Sequence, residues 1–149
     1  MGILGGGAKV NLALRILSSI AAGVFIYAGA LKAIDPMRFA NDIDNYHMLP
    51  WAISVRLAFY LPWLEIFCGL AVIVRRLHLG ALVMLAGMTT AFIVASVIAK
   101  SRGLDVSCGC FGHAGKTLTF ARHLAIDFAL LAVFAISLWR EKRAAASPV

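Results

Sequence analysis

Four long apolar runs limit what this chain can become. They cover about residues 11–33, 51–74, 78–99 and 121–139, and each is long enough to cross roughly 30 Å of hydrocarbon as a helix. The rest of the composition offers no other outlet. Of 149 residues, 62% are hydrophobic and 14% charged, and the mean hydropathy is +0.89. A water-soluble domain of this size cannot hide so much apolar side chain, and disorder requires the opposite composition. The sequence predicts an all-α integral membrane protein: a single transmembrane domain over residues 1–149, folded as a four-helix bundle.

The net charge of +7 does not point to nucleic acid. The basic residues stand at the ends of the apolar runs, where membrane topology places them. With both termini cytoplasmic, the inner set is Lys9, Arg15, Arg75, Arg76, Arg140, Lys142 and Arg143, and the outer set is Lys32, Arg38, Lys100, Arg102, Lys116 and Arg122. The two sets are nearly balanced. The acidic first outer loop, with Asp35, Asp42 and Asp44, decides the orientation together with the tight Arg75-Arg76 turn. The opening stretch, ending in Ala28-Gly29-Ala30, has the look of a cleavable signal. Because the apolar run continues to Lys32, it reads as a retained first span. The expected location is a bacterial-type inner membrane, multi-pass, with outer loops at about 34–50 and 100–120. Lys32 is placed at the interface and within a helical turn of Asp35, with which it can pair. Phe39, Tyr46 and Trp51 read as interface aromatics. Gly87, Ala91, Ala95 and Ala99, and likewise Ala121, Ala125 and Ala129, read as small-residue seams between helices.

The second outer loop carries the most informative residues, Ser107-Cys108-Gly109-Cys110-Phe111-Gly112-His113. Thiols at i and i+2 close a disulfide only if the backbone turns, and Gly109 permits that turn. A ring so small is strained, and strained, exposed disulfides are the labile ones. Lys100, Arg102, His113 and Lys116 favour the attacking thiolate. The pair therefore reads as a redox-active dithiol on the oxidising face. Two alternatives stand beside it. Cys108, Cys110 and His113 supply two sulfurs and an imidazole to Cu(I) or Zn²⁺, or the pair is a passive staple. The staple is physically weak, since a tiny ring removes little chain entropy.

Two carboxylates lie inside the apolar runs, Glu65 and Asp127. Charges at that depth usually face a bundle interior and serve a function. Pro62 is expected to kink the second run and free a carbonyl. Cys68 shares a face with Glu65 and reads as a small buried hydrophobe. Asp127 lies four residues after His123, so the two can meet. Proton handling or polar contacts to a small ligand such as a quinone form one reading. The other makes both carboxylates structural, bonded to Arg56, Tyr60 or nearby backbone.

These residues, in this order, resemble a known family. Gly29, Lys32, Asp35-Pro36, Phe39, Tyr46, Leu49-Pro50, Leu61-Pro62-Trp63-Leu64-Glu65, Gly69, Arg102-Gly103 and above all Cys108-Gly109-Cys110-Phe111-Gly112 are similar to the DoxX-like membrane family, in its methylamine-utilisation MauE branch. The resemblance implies a membrane thiol–disulfide protein, a possible oxidoreductase, that helps exported proteins mature. It implies a thioredoxin-like partner outside the cytoplasm and an exported client, which in the methylamine system is the disulfide-rich light subunit of the dehydrogenase. Electrons would pass to a quinone or to another thiol protein. Two other functions compete: a soft-metal binding protein, and a non-catalytic subunit bracing a larger membrane complex.

Overall fold

A computed structural model describes residues 4–75, 77–103 and 120–145. Every regular element among them is helical: α1 (Leu4–Ile34), α2 (Pro36–Asp44), α3 (Trp51–Val74), α4 (His78–Ser101) and α5 (Phe120–Ala145). Two of the breaks between them have a local cause. Asp35 caps α2 by accepting a hydrogen bond from the Arg38 N–H at 3.0 Å. Pro36 follows at the first helical position, where its missing N–H is no loss. The turn from α3 to α4 is so short that Arg75 and Leu77 both adopt left-handed backbone, with φ of 60° and 56°. α3 runs unbroken through Pro62.

Three of these helices are long and apolar enough to cross a membrane: Asn11–Ile34 within α1, α3 and α4. Their outward faces carry large apolar side chains, among them Leu12, Ile20, Phe59, Trp63, Phe67, Val83 and Val94. Water does not tolerate apolar surface on that scale, and lipid does. The protein is a multi-pass membrane protein. α1 packs against α3, α3 against α4, α4 against α5 and α5 against α1, while α2 lies on α3. The main core gathers Ala22, Phe25, Cys68, Val72, Leu82, Leu85 and Phe134, with the Phe25 and Phe134 rings tilted at 57° and 5.7 Å apart. A smaller cluster of Phe39, Ala40 and Ala58 fastens α2 to α3.

The expected small-residue seams are not seams within this chain. Gly87, Ala91, Ala121, Ala125 and Ala129 are exposed, and only Ala99 is fully buried. The reason is geometric. Each four-residue step overshoots a helical turn by about 40°, so the stripe on α4 winds from the outer side at Gly87 to the inner side at Ala99. The line that faces inward holds Leu82, Leu85, Thr89, Ile93 and Ser96. Close approach occurs instead between α1 and α3. A Cβ on Gly29 would lie 2.8 Å from the Pro62 carbonyl oxygen, and one on Gly69 would lie 2.6 Å from Ile26 Cγ1 and 2.9 Å from the Ala22 carbonyl.

Candidate functional site

Where Gly29 meets Pro62, one charged side chain from each helix turns into the interior. Side chains on a helix lean toward its N-terminus, and α1 and α3 run in opposite directions. Lys32 and Glu65 therefore lean toward each other. Lys32 Nζ donates to Glu65 Oε1 at 2.6 Å, with the side chains 4% and 0% exposed. The ammonium also sits 5.1 Å from the centre of the Phe39 ring and 5.0 Å from that of Phe92, close enough for the negative ring faces to attract it. Glu65 Oε2 is buried and has no hydrogen-bond partner among the described residues.

A cavity of about 30 Å³ opens beside the pair, lined by Phe25, Ala28, Lys32, Glu65, Thr89 and Asp127 among others. The Thr89 hydroxyl is turned back to the Leu85 carbonyl at 2.8 Å. The space suits a water, which needs only ~10–15 Å³ of such volume and a few polar partners. It does not suit a quinone ring, since pockets for molecules of that class run to roughly 300 Å³ and more. What the arrangement can do chemically is hold a proton or pass one between buried groups, and lock α1 to α3.

Several sequence expectations are corrected here. Lys32 is buried, not interfacial, and its partner is Glu65, not Asp35, whose carboxylate is taken up by the α2 cap. Glu65 does not bond Arg56 or Tyr60, both of which lie on the exposed side of α3. Phe39 and Tyr46 are buried, while Trp51 is exposed. Cys68 is a free, buried core residue, as its sequence context indicates. Asp127 is buried and faces the same cavity as Glu65, and the side chain of His123 lies outside the described set. So do Cys108, Gly109, Cys110, Phe111, Gly112 and His113, in the segment joining α4 to α5. Among the described residues no three of His, Cys, Asp and Glu stand together as a metal site. Arg102 ends α4, and its Nη1 makes a long 3.5 Å contact to the His47 carbonyl after α2. The chain stretches carrying α2 and Arg102 thus meet at one end of the molecule.

The sequence reading missed the role of Lys32 and missed Phe92 altogether. The signal for Lys32 was present: it and Glu65 are rare opposite charges in apolar runs. Phe92 gave none, being one aromatic among many.

The family described as Methylamine utilisation protein MauE matches residues 10–140 of the chain. This chain belongs to the MauE family. Over 86 residues it is 33% identical to the Methylamine utilization protein MauE of Methylophilus methylotrophus. That alignment takes in 54% of this chain and 45% of the relative, so the chain spans about half the length of the curated relative it matches. No solved structure matches it.

Proposed function

We propose that this chain is an accessory membrane protein of methylamine utilisation that exchanges disulfides with exported proteins as they mature. α5 is the fourth crossing of a single-domain bundle in the inner membrane. The termini are cytoplasmic, and the segment between Gly103 and Phe120 faces outward. The observation that carries the reading is Cys108-Gly109-Cys110 in that segment, in a chain of the MauE family.

A thiolate of the client attacks the Cys108–Cys110 disulfide and forms a mixed disulfide, and the second client thiolate resolves it. The client gains its disulfide, and Cys108 and Cys110 are left as thiols carrying two electrons and two protons. Both pass to an acceptor, either a thioredoxin-like protein outside the cytoplasm or a membrane quinone docked outside the small cavity at Glu65. Arg102 supports the thiolate form, Gly109 permits the turn between the thiols, and Phe111 and Gly112 complete the motif. Glu65, resting as the carboxylate partner of Lys32, and Asp127 are the proton-handling groups within the bundle. The chain is of the DoxX-like kind.

The test is redox trapping in intact membranes with a maleimide-linked polyethylene glycol. Cys108 and Cys110 are expected to shift together between blocked and reactive states as the membranes are oxidised and reduced. Cys108→Ser and Cys110→Ser are each expected to leave a co-expressed dehydrogenase light subunit short of disulfides. If neither cysteine changes state, or the client matures normally with both replaced, the reading fails.

A further inference from the structure

At the end of the molecule where α3 turns into α4, a polar cavity of about 220 Å³ opens between α1, α4 and α5, with Arg15, Ser18, His78, Ser137, Arg140 and Glu141 in its lining. Its donors are not all used. Ser137 is 6% exposed, and its Oγ is buried without a hydrogen-bond partner among the described residues; the same holds for Arg140 Nη1. Glu141 does not fill that need. Its Oε1 accepts from Arg75 Nη2 at 3.2 Å, and although it lies 3.3 Å from His78 Nδ1, that nitrogen has no hydrogen-bond partner among the described residues. A guanidinium has only donors, so Arg140 calls for an acceptor oxygen, and with Arg15 beside it in the lining an anionic one is favoured. Buried polar groups are almost always satisfied, and three orphans in one basic pocket, Ser137 Oγ, Arg140 Nη1 and His78 Nδ1, point to a ligand.

A second, open groove runs along α1 past Arg15, Ile16, Ser19 and Ile20, and Arg15 lines both spaces. Ile16 and Ile20 are more than half exposed. The polar cavity thus shares a wall at Arg15 with an apolar track, which a free anion has no use for and an acyl chain does. The level is also right. Trp139 is exposed near this end of α5, with the Arg143 guanidinium 3.8 Å from its ring centre, the kind of aromatic–basic pair found at lipid headgroups.

We propose that this pocket binds an acidic phospholipid, with the phosphate held by Arg15, Arg140 and Ser137 and one chain laid along α1. Basic pockets between spans are recurrent headgroup sites. The proposal does not depend on the redox reading, because none of its residues belongs to the thiol segment.

The experiment uses the full chain in mild detergent, probed with phosphatidylglycerol, phosphatidylcholine and inorganic phosphate, with bound lipid counted by native mass spectrometry. Phosphatidylglycerol is expected to be retained in preference to phosphatidylcholine. Its affinity is expected to fall about five-fold for Arg15→Gln and again for Arg140→Gln, given roughly 1 kcal/mol per basic residue at a membrane surface. Ser137→Ala removes an orphan donor without altering charge. It serves as the readout if an arginine variant fails to fold, with a smaller drop expected. Arg56→Gln, on the exposed side of α3, should change nothing. Equal retention of the two lipids overturns the proposal, as does undiminished phosphatidylglycerol binding by the folded variants. Occupation by inorganic phosphate that phosphatidylglycerol cannot displace overturns the lipid assignment.

Discussion

Replacing Glu65 by Gln leaves the Lys32 ammonium buried, 4% exposed, with no counter-charge on its partner. At the observed 2.6 Å, Coulomb attraction is roughly 6 kcal/mol for an effective dielectric of about 20. Most of that attraction only offsets the cost of taking both charges out of water, so the intact pair contributes little beyond a well-packed apolar one. Breaking it is different, because the desolvation cost stays and the attraction goes. Glu65→Gln and Lys32→Met are therefore each expected to lose about 3–5 kcal/mol of stability, and the double substitution far less than their sum. The protein supplies its own probe for unfolding. Cys68 is the buried free thiol of the core, and in a Cys108→Ser/Cys110→Ser background a thiol-reactive fluorophore reports its exposure on heating. The single variants should melt on the order of 10 °C lower, and the double variant should recover most of the difference. Single variants melting within a few degrees of the parent would refute the argument, as would a double variant that loses the full sum.

Gly29→Ala and Gly69→Ala each drive a methyl group into backbone of the facing helix and should cost about 1–3 kcal/mol. Gly87→Ala, with nothing within 4 Å, should leave the same melting curve unmoved. Asp35→Ala removes the cap of α2 and should cost ~1 kcal/mol, seen as faster proteolysis near Met37 without loss of the remaining helical signal. Glu141→Gln, at a half-exposed pair with Arg75, should change stability by less than about 1 kcal/mol, and that difference should shrink in high salt.

Length and hydropathy made much of the helical layout readable. The apolar run at about 51–74 coincides with α3, and the run at about 78–99 lies within α4. Asp35-Pro36 marked the break after α1 because capping chemistry is local. The partner of Lys32 was not readable. Helical spacing offers only neighbours three or four residues away, and it nominated Asp35. The true partner lies 33 positions distant, brought close by a glycine that admits a neighbouring carbonyl. The alanine stripes misled for a related reason: a repeat of four says which residues follow one another up a helix, and nothing about which side meets a neighbour. The thiol pair was nominated by its chemistry, and Cys108 and Cys110 lie outside the described residues.

At Gly29 the Pro62 carbonyl lies directly against α1, and at Gly69 the Ala22 carbonyl comes nearly as close beside the Ile26 side chain, so little cushion separates the two backbones. Two rods touching in this way, and pinned by a charge at the crossing, have no layer in which to slide and travel as one spine. Any rearrangement must then be sought in α4 and α5, which contribute Leu82, Leu85 and Phe134 to one cluster of bulky, repackable side chains and which the cysteine-bearing segment joins in sequence.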